Sequence, residues 1–229
     1  MKIGIIIPDR GDRPLFTLNC KRIIKNQTIQ PEIVLFVDFK PENKAVDITK
    51  RYRIGYEYLR NKGLDVIFFM ENDDYYAPNY LETMLKAWEN AGKPALFGTT
   101  KTIYYHIKLR KHYTMHHVTR SSAMSTMIKP DLKFNWCADY NPYTDCHLYE
   151  VLPYKLFTPD PDKPICIGIK HGIGMTGGHG HATRLDAYDS LSTSANDPEM
   201  SWLRDKMDGE SFDFYSRYFN STILPLSVF

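Results

Sequence analysis

Three acids fall within four residues at Glu71-Asn72-Asp73-Asp74, at the end of the largely apolar segment Leu64 to Met70 and just before Tyr75-Tyr76. Carboxylates this close repel one another, and a divalent cation relieves the repulsion most simply because hard carboxylate oxygens are its natural ligands. Glu71, Asp73 and Asp74 are therefore candidate ligands of magnesium or manganese, with Asn72 as a neutral donor and acceptor between them. The bland alternative is a solvated acidic turn capping the next helix. A second unusual stretch, His171 to His181, carries five glycines, which permit close backbone approach to a ligand and positive φ. A zinc-hydrolase reading of His179, His181 and Asp186 lacks the helical HExxH arrangement.

Charge is unevenly distributed. The net charge is only +2, yet no Asp or Glu occurs from Asn90 to Pro130, where Lys93, Lys101, Lys108, Arg110, Lys111, Arg120 and Lys129 accompany four histidines. This stretch predicts contact with an anionic ligand, Lys108 and Arg110 included, or else a basic face balanced by acids elsewhere. The 229 residues, 43% of them hydrophobic, suffice for one substantial core. The opening run Met1 to Ile7 is too short for a signal-peptide core, and no segment approaches the roughly 20 apolar residues of a membrane span. A cytoplasmic protein is expected. Cys20, Cys137, Cys146 and Cys166 form no CxxC pair and read as reduced thiols.

The elements that must position the acids follow from periodicity. Apolar runs at Lys2 to Ile7, Ile33 to Val37 and Leu64 to Met70 predict buried parallel strands. Between them, Phe16, Cys20, Ile23 and Ile24, then Ile48, Tyr52, Tyr56 and Leu59, recur at helical spacing. Asp12 is the expected cap of the first helix, with Pro14 in its first turn, and Pro78 opens a third helix bearing Leu81, Met84, Leu85 and Trp88. Alternating strand and helix predict an α/β fold with a mainly parallel, Rossmann-like sheet, whose ligands lie beyond the carboxyl ends of the strands. After Pro94, short segments at Ala95 to Gly98, Thr102 to Ile107, Tyr113 to Val118 and Ala123 to Ile128 predict added antiparallel hairpins. A short helix beginning near Thr144-Asp145 buries Leu148, Val151 and Leu152, and a strand at Ile165 to Ile169 precedes His171. Ser190 to Asn196 is expected to be a mobile polar segment, and Asp197-Pro198 to cap a last helix with Met200, Leu203 and Met207 on one side.

The order Ile5-Ile6-Ile7-Pro8-Asp9-Arg10, Gln27-Thr28, Val34 to Asp38 and Phe69 to Asp74, followed by Tyr75-Tyr76-Ala77-Pro78, resembles the nucleotide-binding half of family 2-like glycosyltransferases of the GT-A fold. The resemblance covers roughly the first 100 residues well and the remainder loosely. It implies one GT-A-like domain over residues 1–229, with residues 1–100 binding a nucleotide-sugar donor and 101–229 binding the acceptor and carrying a terminal loop and helix. Glu71-Asn72-Asp73 matches the metal-binding DxD position, so the resemblance makes Asp73 the foremost ligand, Asp74 the next, and Glu71 a water or ribose contact. Pro8, Asp9, Arg10, Asp38 and Asn72 match donor-lining positions, and Arg10 and Arg13 are candidate diphosphate contacts. Asp9-Arg10 departs from the commoner Tyr-Asn-Arg type, which leaves the nucleotide open. Asp145 matches the general base of an inverting transfer. His171 matches the histidine that completes the metal shell or meets the diphosphate, and His179 and His181 are candidate phosphate or acceptor contacts.

The expected function is therefore metal-dependent transfer of a sugar to an acceptor hydroxyl, the acceptor being a glycan or a hydroxymethylated DNA base, as the basic stretch interleaved with Tyr104, Tyr105 and Tyr113 suggests. A sugar-phosphate nucleotidyltransferase would carry a glycine-rich loop after the first strand, where only Gly11 is present. A non-catalytic binding module retaining the fold is the remaining alternative.

Overall fold

The computed structural model describes residues 1–41, 46–171 and 192–220. In chain order its elements are β1 (Ile3–Pro8), α1 (Pro14–Lys25), β2 (Ile33–Val37), α2 (Ile48–Leu59), β3 (Val66–Phe69), β4 (Tyr75–Tyr76), α3 (Tyr80–Asn90), β5 (Leu96–Thr99), β6 (Lys101–His106), β7 (Lys111–His116), β8 (Thr126–Ile128), α4 (Thr144–Val151), β9 (Tyr154–Phe157), β10 (Cys166–Lys170), β11 (Ser192–Asn196), α5 (Ser201–Lys206) and α6 (Gly209–Asn220). A six-stranded sheet runs β2-β1-β3-β8-β5-β9, in which only β8 is antiparallel to its neighbours. A five-stranded sheet runs β11-β7-β6-β10-β4, with a parallel pair at β6 and β10 and antiparallel pairs elsewhere.

The apolar run of β1 has no polar alternation because both of its faces are covered. Ile5 and Ile7 pack with Phe16, Cys20 and Ile23 of α1, whereas Ile6 packs with Tyr52 and Tyr56 of α2. The same period of two divides β3, with Phe68 on the first side and Phe69 stacked on Tyr52 at 4.3 Å on the second. A Cβ on Gly55 would stand 2.6 Å from Ile6, so the bare glycine lets α2 approach the central strand. The first core also takes in Tyr105 of β6 and Ile167 of β10, which joins the two sheets.

Several local expectations change. Arg13, not Asp12, flanks the start of α1, and Tyr143 flanks α4, leaving Thr144 inside the helix. Val151 is exposed; Tyr149 takes the buried position because α4 turns that face toward β5 and β8. Residues 192–196 form β11 along β7 instead of a loose segment, since backbone pairing does not require apolar side chains. Asp197 does bond the start of α5, accepting from the Trp202 and Leu203 amides at 3.1 and 3.2 Å, but α5 is followed by a further helix, α6. Among the described residues no helix is long and apolar enough to cross a membrane.

A buried network of hydroxyls lies where the sheets meet: Ser121 Oγ is 2.9 Å from Ser125 Oγ, and Thr102 Oγ1 is 2.8 Å from Ser122 Oγ. Gly98 leaves room for it, since a Cβ there would lie 2.2 Å from the Tyr149 hydroxyl and 2.3 Å from Ser121 Cβ. Gly98→Ala is expected to destabilise the protein by roughly 1–3 kcal/mol through overpacking, read as a lower midpoint in urea denaturation. An unchanged midpoint would contradict this packing.

Candidate active site

The acids occupy the turn that leaves β3 in the first sheet and enters β4 in the second. The turn is fixed from several sides. The Glu71 amide donates to the Tyr76 hydroxyl at 2.8 Å, and the Ile169 amide of β10 donates to Asp74 Oδ1 at 2.8 Å. Asn72 Nδ2 donates to Asp9 Oδ1 at 3.2 Å, and that oxygen also accepts from the Gly11 amide at 2.9 Å. Thr17 of α1 donates to Asp9 Oδ2 at 2.8 Å. Asp9 thus joins the end of β1, the first turn of α1 and the acid turn, and the positive φ of Gly11 lets the chain fold back over it.

Glu71, Asp73 and Asp74 bring carboxylate oxygens within 4.8 Å of one another. Two full charges at that distance would repel by roughly 3–4 kcal/mol at an effective dielectric of about 20. The surroundings assign different charge states to them. Burial opposes ionisation of Asp73, but the Arg13 guanidinium and a hydrogen bond from His171 outweigh it and hold Asp73 well below the usual carboxylate range. Burial, then the charge of Glu71, pushes Asp74 well above it. Glu71 is pushed up to about 7, chiefly by burial, with Lys170 opposing and Asp73 and Asp145 adding to the rise. Lys170, at the end of β10, is buried with Nζ 4.8 Å from the Tyr104 ring centre; Asp74, Tyr104 and Glu71 keep it charged against the cost of burial.

Asp73 is the junction of the site. Its Oδ2 pairs with Arg13 Nη1 and lies 2.9 Å from His171 Nε2. This oxygen and this histidine nitrogen are atom types that would hold a divalent cation, and they meet at the end of β10 beside the acid turn. Asp74 Oδ2, buried and without a hydrogen-bond partner, is a further oxygen facing no competing donor. Glu71, Asp73 and Asp74, whose hard carboxylate oxygens lie within 4.8 Å of one another, fit a magnesium or manganese ion.

Beside the ends of β1 and β2, Arg10 Nη1 donates to Asp47 Oδ1 at 2.7 Å, and the other Asp47 oxygen accepts from Arg51 at 2.8 Å. Burial works against the Asp47 charge, yet Arg51 and then Arg10 hold its carboxyl low. Arg51 is completely buried and donates to the carbonyls of Asp9, Val37 and Phe39 at 2.5, 2.7 and 2.8 Å, tying the ends of β1 and β2 together. Pro8 ends β1, and Asp38 follows β2 as an exposed residue.

Across the site, Asp145 sits in the first turn of α4 and pairs with Arg120. Burial raises its pKa against the opposing Arg120 charge. Lys108 and Arg110 lie on the turn between β6 and β7, where Lys108 is exposed and Arg110 Nη1 donates to the Pro198 carbonyl. His179 and His181, with the glycines around them, lie outside the described residues. Sequence reasoning missed Lys170, Arg51 and Asp47, and it counted Arg120 only as charge. A lysine closing the apolar run of β10 was the one visible signal for the first.

The sheet order is that of a mixed α/β arrangement with the acids at the carboxyl ends of the central parallel strands. No family model and no curated protein matches the chain. Among solved structures the chain is similar to S. aureus TarS, with 13% identity, a TM-score of 0.39, and coverage of 74% of this chain and 37% of that one. It thus spans little more than a third of that protein's length.

The Glu71 environment has a measurable consequence. A carboxyl with a raised folded-state pKa contributes stability that is fully present below its unfolded value of about 4.5 and is lost as pH rises through about 7. Glutamine mimics the protonated form. In chelator-treated buffer Glu71→Gln is therefore expected to melt above the parent at pH 8, with the difference closing toward pH 4.5. A difference independent of pH would contradict the raised pKa.

Proposed function

We propose that the protein is a glycosyltransferase that moves a sugar from a nucleotide-sugar donor to an acceptor hydroxyl, with inversion and with a manganese or magnesium ion. The observation that carries this reading is the convergence of Asp73, His171 and Arg13 at the carboxyl end of the parallel strands, with Asp145 near enough to raise the pKa of Glu71. One side of the site suits a diphosphate, the other a proton acceptor.

Asp73 and His171, with Asp74 behind them, would hold the cation, which when bound supplies electrostatic stabilisation to the departing diphosphate. Arg13 lies beside the same position and has the planar fork that matches phosphate oxygens. The loop after β1, held by Asp9, Asp47 and Arg51, would line the base and ribose together with Asp38. Asp145 would accept the proton of the acceptor hydroxyl. Its burial raises its basicity toward that task, and Arg120 keeps the carboxylate oriented. The acceptor class, glycan or nucleic acid, rests on the basic segment that includes Lys108 and Arg110.

The test incubates the protein with labelled nucleotide sugars, manganese and panels of glycan and hydroxymethylated DNA acceptors. Transfer should occur with one donor and fall to background in Asp73→Asn. Asp145→Asn should lose about 100-fold or more in kcat, the usual scale of general-base catalysis, while donor affinity changes little. Unchanged transfer in Asp145→Asn would remove its assigned role, and absence of both transfer and donor hydrolysis throughout would overturn the enzymatic reading.

A further inference from the structure

We infer that Arg13 is an internal cation that occupies the metal position on Asp73, so that a divalent ion binds well only after a diphosphate has drawn Arg13 away. This inference rests on the reading of the acid turn as a donor and metal site.

The geometry is specific. Arg13 Nη1 pairs with Asp73 Oδ2 and also lies 3.3 Å from His171 Nε2, so one guanidinium nitrogen touches both of these candidate ligand atoms. A cation bridging that oxygen and nitrogen would require the same space. Arg13 is thus more than a nearby positive charge. Arg13 and Lys170 also place two positive charges among Glu71, Asp73 and Asp74.

The side chain has somewhere to go. Arg13 immediately precedes α1, anchored through its carbonyl, which accepts from the Thr17 amide at 3.2 Å, and its side chain reaches carboxylates of both Asp73 and Asp12. Its Nε already lies 3.4 Å from Asp12 Oδ1, and the Asp12 side chain is half exposed. A diphosphate entering beside Asp73 would offer Arg13 two forked anionic partners in place of one carboxylate. Diphosphate binding would then clear Asp73 Oδ2 and His171 Nε2 for the ion. By linkage, metal and diphosphate must favour each other's binding by the same factor. The order also prevents idle binding of metal at an empty donor site.

The experiment measures binding of manganese alone to the full chain by electron paramagnetic resonance, without nucleotide. Arg13→Gln, which removes the competitor and leaves Asp73 and His171 in place, should bind manganese at least about tenfold more tightly than the parent, within the usual range of coupling between sites. Asp73→Asn should abolish binding in both backgrounds. Equal or weaker binding by Arg13→Gln, with binding still dependent on Asp73, would overturn the competition and leave the metal site standing. No manganese bound in an Asp73-dependent way by either protein would overturn both. A second measurement needs no variant at Arg13: on adding pyrophosphate to the parent, the Arg13 Nε–H nuclear resonance should shift as the side chain leaves Asp73. A resonance that stays fixed at saturating pyrophosphate would also overturn the inference.

Discussion

The concentration of carboxyl groups between the two sheets is the constraint from which the surrounding structure follows. Asp9, Glu71, Asp73 and Asp74 come together because β1 and β3 are adjacent parallel strands whose ends open on the same side. Such a cluster cannot persist in a partly buried position with every group charged and unpartnered. Four different devices relieve it: hydrogen bonds to Asp9 from Gly11, Asn72 and Thr17, an ion pair from Arg13 to Asp73, the buried ammonium of Lys170, and raised pKa values at Glu71 and Asp74. Each draws in a separate element. Relief of the repulsion is therefore also what assembles α1, the acid turn and β10 around one point.

The same logic shapes the loop after β1 without any acidic crowding. At the ends of β1 and β2 the Val37 carbonyl accepts from the Asp9 amide at 3.1 Å, and the carbonyls of Asp9 and Phe39 lie beside it. Arg51 supplies further donors to all three from α2, stacked on Phe39 at 4.0 Å and neutralised by Asp47. Asp47 in turn holds Arg10. A buried arginine is costly unless it is paired and hydrogen-bonded, and Arg51, with both terminal nitrogens bonded, ties strand-end carbonyls together beside the loop after β1.

The first half of the fold was legible in the sequence because it is governed by burial. The unbroken apolar runs of β1 and β3 lie in strands covered on both faces, that of β2 is half-buried because it is the edge strand, and the helical stripes of α1, α2 and α3 match the residues found in the core. The second half was less legible. Residues 192–196 are polar and still form a strand, since backbone pairing with β7 is an interaction that side-chain hydrophobicity does not encode. Asp73 and Asp145 could be picked out as functional candidates, whereas Arg51 and Lys170 could not, because a cation's partners are set by tertiary approach. Arg51 and Asp9 are 42 positions apart, and Asp74 meets Ile169 across 95.

Environment also separates carboxylates that look alike in sequence. Asp73 and Asp145 each pair with an arginine, yet their ionisation moves in opposite directions. At Asp73 the charge of Arg13 and the hydrogen bond from His171 together exceed the cost of burial, which favours a permanently ionised ligand. At Asp145 burial exceeds the single opposing charge of Arg120, which favours a group able to take up a proton. Divergent pKa values among neighbouring acids are the pattern expected where one group is to bind a cation and another is to accept a proton. The charge of Asp145 also adds to the rise at Glu71, which links the helix side of the candidate site to the acid turn through electrostatics.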